Sequence, residues 1–296
     1  PRLMRDAADA AHRAALRRLA ASLAPEGYAE LAFGDYRNLS QRVLTELISH
    51  ARLTLLDDGS ITPQAGRWRG GLPTPDPKRF TDRWFRTGLA RALLGDPPRT
   101  EPGALTFFTI YGRLLEGVIR PDDRIEPHAF ESFRPPQDAP RGDAVWLLGA
   151  NHVEARIADP ERHVALVRGG VAALRREGLT GPIVYRPHRG EDPARAARLA
   201  VEAGCVFEPA ALPIELAYLE AAARPAAVAV IASSAADTLA AVDPELPIYR
   251  FGLPEGYLRR QRDHILAVVG AHDAFNPRIH VVCPDAESVS EPFAAL

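Results

Sequence analysis

The chain has 296 residues, 46% of them hydrophobic and 25% charged, with a net charge of −2 and a pI near 6.6. That length exceeds the usual size of one hydrophobic core and predicts two domains. The balanced charge leaves no footprint for nucleic acid, and no apolar run approaches the roughly 20 residues of a membrane span. No signal-peptide pattern opens the chain. Pro1 is not a natural initiator, so some original N-terminal residues are expected to be missing. Cys205 and Cys283 sit in separate strand-like contexts without metal-ligand spacing, which predicts two buried free thiols in a cytoplasmic protein.

Residues 5–23 carry Ala8, Ala11, Ala15, Leu19 and Leu23 at helical spacing, an amphipathic helix rich in arginine. Its basic face suits solvent first; the alternative is peripheral contact with an anionic membrane at its inner face. Residues 28–33 read as a strand, 34–36 as a turn, 40–51 as a helix capped by Ser40, and 53–56 as a short buried strand. Strand, helix, strand alternation is the signature of a parallel sheet. Residues 62–80, dense in proline and glycine, read as an irregular loop of the kind that serves as a lid, before a helical pattern at Trp84, Phe85 and Leu89. Residues 105–111 are the next strand, and 113–127 show no clear period. The Pro-rich segment at 135–140 reads as the linker, which predicts domains of 1–135 and 141–296.

The second half repeats the alternation. Strands are expected at 144–148, 183–185, 205–207, 226–231, 247–251 and 280–283. Helices are expected at 159–177, opened by Asp159 and Pro160, and at 193–203, 213–222, 233–241 and 255–269. Two successive βαβ blocks predict two Rossmann-like domains.

Four places carry residues suited to chemistry. Asp57 and Asp58 end a buried strand ahead of Gly59; they read as a general base or as a surface Asp-Gly turn. In residues 181–192, an apolar strand runs into Arg186, Pro187, His188 and Arg189, where open α/β sheets present ligand-binding groups; His188 by itself reads equally as a solvated loop histidine. Glu191 and Asp192 beyond them read as solvated charges, while His152 and Glu208 are further candidates at strand ends. Glu215 opens a helix and could accept hydrogen bonds from a ribose diol or simply complement the helix dipole. Ser233 and Ser234 precede another helix, either as a phosphate site without lysine or as N-cap serines. Neither a Gly-rich dinucleotide fingerprint nor a P-loop sequence occurs.

The order of these elements, Asp-Asp-Gly, strand-His, Pro-Ile-Glu-Leu and Ser-Ser, resembles the bacterial sialyltransferases, including the polysialyltransferases and the lipooligosaccharide sialyltransferases. Glu215 lies 27 residues past His188 and 18 before Ser233, a spacing that looks family-like. The pattern departs at one point: the family places proline after the histidine, whereas here Pro187 precedes it and Arg189 follows. The N-terminal strand expected first in the family's fold is also not evident before Pro1, so the first domain is expected to lack it. The resemblance implies a GT-B architecture, two Rossmann-like domains with parallel sheets facing across a cleft, and a CMP-sialic acid donor. It implies an inverting transfer of sialic acid, or a related nonulosonic acid, to a hydroxyl of a glycan or lipid-linked glycan. Asp57 would be the base, with Asp58 its neighbour or substitute, and His188 the acid toward the leaving phosphate. Arg186, Pro187, Arg189, Glu215, Ser233 and Ser234 would bind the nucleotide, and no metal or cofactor would be needed. The rival readings are a GT-B transferase using CMP-Kdo or a UDP-sugar, a non-catalytic nucleotide- or glycan-binding protein, and a metal-dependent hydrolase.

Overall fold

The computed structural model describes residues 2–23, 26–75, 92, 101–136 and 139–284. The expected helix at Trp84, Phe85 and Leu89 lies outside them. The chain divides into two compact units, Pro1–His128 and Ala129–Leu296. This division falls ahead of the Pro-rich segment at 135–140. Phe130 packs against the second unit's core, and Arg224 donates to the Ala139 carbonyl at 2.8 Å, which ties the segment to that unit.

The first unit opens with α1 (Arg2–Ser22), whose Leu16 packs on Leu39 and Val43 of α2 (Leu39–Leu47). The cap of α2 is Asn38, which accepts from the Gln41 amide at 3.2 Å; Ser40 lies inside the helix and pairs instead with His12 at 2.9 Å. Among the described residues, four parallel strands form the sheet in chain order: β1 (Tyr28–Phe33), β2 (His50–Leu56), β3 (Thr106–Thr109) and β4 (Arg124–Pro127). The expected loop from residue 62 is corrected at its start. Residues Ile61–Arg69 form α3, because Pro63 stands in the first turn, where its missing N–H is not needed, and Gly66 lets Leu115 approach closely. The helix is anchored by Arg69, whose buried guanidinium holds Asp123 at 2.8 and 2.5 Å while Asp123 also accepts the Leu105 amide at 2.9 Å. This pairing satisfies both charges and joins α3 to the entries of β3 and β4. A short helix, α4 (Gly112–Leu115), follows β3.

Among its described residues the second unit carries six parallel strands: β5 (Val145–Leu148), β6 (Ile183–Arg186), β7 (Val206–Phe207), β8 (Ala227–Val230), β9 (Ile248–Phe251) and β10 (His280–Val282). They are ordered β7-β6-β5-β8-β9-β10, the Rossmann order, with the direction of winding reversing between β5 and β8. The helices between them are α5 (Pro160–Arg176), α6 (Pro193–Glu202), α7 (Ile214–Leu219), α8 (Ala235–Val242) and α9 (Arg262–Phe275).

Alternation along β5 shows why this sheet needs cover on both faces. Val145 and Leu147 enter one core with Leu166, Tyr185 and Phe251, while Trp146 and Leu148 enter another with Tyr218, Val230 and Leu239. The last helix starts at Arg262 rather than near residue 255; the preceding turn buries Tyr257 and reaches a left-handed φ of 55° at Gln261. Cys205 is half-buried, and burial pushes its thiol up to about 11; Cys283 is exposed, which corrects the expectation of two buried thiols. No described helix is long and apolar enough to cross a membrane.

Candidate functional site

The second unit presents a cavity of about 700 Å³ at the carboxyl ends of β5, β6 and β8, beside the point where the winding reverses. Its volume is in the range of small-molecule sites, and its position is where open α/β sheets bind ligands. Arg186, Pro187, His188, Arg189, Glu215, Ser233 and Ser234 all line it, with Leu212 and Ile214 as apolar wall.

Each group is positioned by its own element. Arg186 ends β6 and sets its guanidinium carbon over the Trp146 ring, 3.7 Å from the centroid, while it also pairs with Glu208. Stacking and the ion pair hold a long side chain in one orientation. Glu208 is thus a partner of Arg186 rather than an independent candidate. Glu215 stands in the first turn of α7, where helix-terminal amides favour a carboxylate. Ser233 and Ser234 precede α8; the Ala235 amide donates to Ser233 Oγ at 3.4 Å, and the Ser234 carbonyl accepts from Asp237 and Thr238. Beneath them a buried Asp237–His272 pair at 2.6 Å ties α8 to α9.

His188 is half-buried. Its Nδ1 accepts the Gly190 amide at 3.0 Å, so the neutral ring carries its proton on Nε2. Burial lowers its pKa, Arg189 adds to the fall, and Glu154 opposes it. The geometry therefore offers a neutral Nε2–H donor. Glu191 and Asp192 are not free charges. The Glu191 carboxylate accepts the His188 amide at 2.6 Å and the Tyr185 hydroxyl at 2.7 Å, and Asp192 caps α6 by accepting the Arg195 amide at 2.8 Å. His152 is buried away from the cavity lining. Its Nδ1 meets the Tyr257 hydroxyl at 2.9 Å, and His163 Nδ1 meets the same oxygen at 2.8 Å.

In the first unit, the turn after β2 separates its two carboxylates. Gly59, at a φ of 52°, permits the turn. Asp58 is half-exposed and pairs with Arg37 at 3.0 Å. Asp57 points inward, where Oδ2 accepts the Ile110 amide at 2.8 Å. Burial raises its pKa, opposed by the Thr109 hydroxyl, the Ile110 amide, the Thr62 hydroxyl and His128. His128 was not singled out from sequence. It stands 3.6 Å from the Asp57 carboxylate and stacks on Phe108 at 4.2 Å, just past an edge strand whose residues carry no pattern. Among the described residues, no three His, Cys, Asp or Glu side chains are gathered to hold a metal ion.

No protein-family model matches the chain, nor does any curated protein sequence. Among solved structures it is similar to an α/β-galactoside α-2,3-sialyltransferase from the luminous marine bacterium Photobacterium phosphoreum. That likeness has a TM-score of 0.53 at 10% identity and covers 91% of this chain and 83% of that one. A looser likeness, TM-score 0.40 at 16% identity over 86% of this chain and 63% of the other, is to a UDP-glucosyltransferase from Polygonum tinctorium. At such identity the first likeness establishes the fold alone. The chain has an α/β fold of GT-B type, in two units each built on a parallel sheet, the second in the Rossmann order.

Proposed function

We propose that this chain is an inverting glycosyltransferase that moves sialic acid, or a related nonulosonic acid, from a CMP-activated donor to a glycan hydroxyl. The observation that carries the reading is the cavity at the winding reversal, lined by residues 186–189, Glu215, Ser233 and Ser234. Glu215 is the acceptor for a ribose diol. The two serine hydroxyls and the opening amides of α8 suit a phosphate, and His188 Nε2–H suits the same phosphate from the strand side. As the bond from the anomeric carbon to the phosphate oxygen breaks, negative charge grows on CMP, and preorganised donors stabilise it. Asp57 serves as base, taking the proton of the acceptor hydroxyl as that oxygen attacks. A buried carboxylate with a raised pKa is a stronger base than a solvated one, which favours Asp57 over the ion-paired Asp58. With those donors in place, the transfer is expected to need no cofactor or divalent metal. The acceptor in this reading is a glycan or lipid-linked glycan, reached from the cytoplasm at the inner face of the membrane, with no nucleic-acid partner.

The test is thermal unfolding with nucleotides. A ligand at about a hundred times its Kd stabilises by about 2.7 kcal/mol, so millimolar CMP should raise the melting temperature by several degrees. UMP and UDP should not. An unchanged transition with CMP overturns the donor assignment, and a response to UDP alone points to a UDP-sugar. Binding of CMP without its release from CMP-sialic acid in the presence of glycan acceptors points to a non-catalytic protein.

A further inference from the structure

His188 reaches the cavity from a turn that one residue closes. The Glu191 amide donates to the His188 carbonyl at 2.9 Å, while the Glu191 carboxylate accepts the His188 amide at 2.6 Å. Both backbone polar groups of the histidine are therefore held by Glu191. Its second carboxylate oxygen takes the hydroxyl of Tyr185, a fully buried residue of β6, at 2.7 Å, which fixes the turn to the sheet. Space for this carboxylate exists because residue 149 is glycine; a Cβ there would overlap both the Glu191 carboxylate and the Tyr185 hydroxyl. Inside the closed turn, the Gly190 amide is aimed at His188 Nδ1.

A neutral imidazole carries one proton, and a nitrogen that accepts a hydrogen bond cannot hold it. The closed turn thus decides which nitrogen carries the proton into the cavity. We propose that Glu191 is the positioning residue of His188, holding the turn so that Gly190 occupies Nδ1 and the Nε2–H faces the donor phosphate; this rests on the reading of His188 as the donor to that phosphate. Glu191 does not line the cavity and acts through the histidine. Keeping a carboxyl there is costly: burial pushes it up to about 7, with Glu154 adding to the rise and Tyr185, the His188 amide and Arg195 opposing. An apolar side chain would avoid that cost but would leave the His188 amide without its acceptor.

The experiment compares Glu191→Ala and Glu191→Gln with the wild type by nitrogen-detected NMR of the histidine rings and by transfer kinetics. The His188 signal is assigned by its loss in His188→Ala. Wild type is expected to show the Nε2–H tautomer, and Glu191→Ala a mixture of tautomers with the ring pKa moved back toward the ordinary value. In kinetics, kcat should fall about 10- to 100-fold with the KM for the CMP-sugar changed less than about threefold. The double variant Glu191→Ala/His188→Ala should be no slower than His188→Ala alone. Should Glu191→Ala fail to fold, Glu191→Gln and Tyr185→Phe carry the same comparison. An unchanged tautomer and pKa, or losses that multiply in the double variant, overturn the proposal. If His188→Ala transfers at the wild-type rate while Glu191 still sets the tautomer, the role given to His188 fails and the positioning stands.

Discussion

The two parallel sheets use their strand ends in different ways. In the second unit the winding reverses between β5 and β8, so the loops after β5, β6 and β8 part around a hollow and converge on it. In the first unit the strands follow one another in chain order, and the end of β2 offers a single inward carboxylate held by the backbone after β3. Topology alone gathers side chains from several loops around one hollow in that unit. In the other, burial of one group tunes a single acid. Asp57 and Asp58 repeat the lesson at the scale of neighbours: adjacent carboxylates differ because one is buried and the other is paired with Arg37.

That contrast can be broken at the level of single side chains. The largest effects are expected for Asp57→Asn and His188→Ala, each lowering kcat for CMP release by about 10²- to 10⁴-fold, while Asp58→Asn stays within about tenfold. Equal losses from the two aspartates would erase the distinction drawn from burial. The pH profile sharpens it. A base must be ionised to act, and burial raises the Asp57 pKa, so with Asp57 as the proposed base kcat/KM should fall as pH drops through a limb above the ordinary carboxylate range. Asp58→Asn should leave that limb in place. Intermediate effects are expected in the cavity, where Glu215→Ala or Ser233→Ala should weaken CMP binding by about tenfold, about one lost hydrogen bond to a charged group, as measured by calorimetry. The smallest is the stability change of Asp58→Asn, within about 1 kcal/mol in urea unfolding, because its pair with Arg37 is partly solvated.

Much of this architecture was legible in the sequence because buried strands announce themselves. β5, β6 and β8 are short apolar runs that end at glycine, proline or serine, and those ends are where the cavity lies. What escaped was decided by tertiary contact. β4 reads Arg-Ile-Glu-Pro and becomes a strand only by pairing with β3, so the sequence hides both it and His128 at its end. α3 contains proline and glycine, which locally signal a loop, yet Arg69 and the close approach of Leu115 secure the helix. Glu191 has the sequence surroundings of a solvated charge; only the packing of Tyr185 and the space at Gly149 reveal it as buried. His152 sits at a strand end and was one of the further candidates, but Tyr257, more than a hundred positions on, draws it inward.

That Tyr257 hydroxyl is shared by two imidazoles, and a hydroxyl has one proton to give. It donates to one Nδ1 and accepts from the other, so His152 and His163 must hold opposite tautomers. The arrangement fails when the accepting Nδ1 is protonated, because the hydroxyl then faces two N–H donors. Burial lowers both to about 4, with His188 and His163 adding to the fall at His152 and Arg195 to that at His163. Below the ordinary histidine value near 6.5, the unfolded chain takes up protons that the native rings refuse. Stability is then expected to drop as pH falls from about 6.5 to 4, by at most about 1.4 kcal/mol per unit for each ring. Glu191, whose carboxyl is held up near 7, weakens the fold in the opposite direction, as pH rises from about 4.5 to 7. The Tyr257 hydroxyl joins the loop after β5, α5 and the turn before α9, so mild acid is expected to loosen that junction through its two histidines.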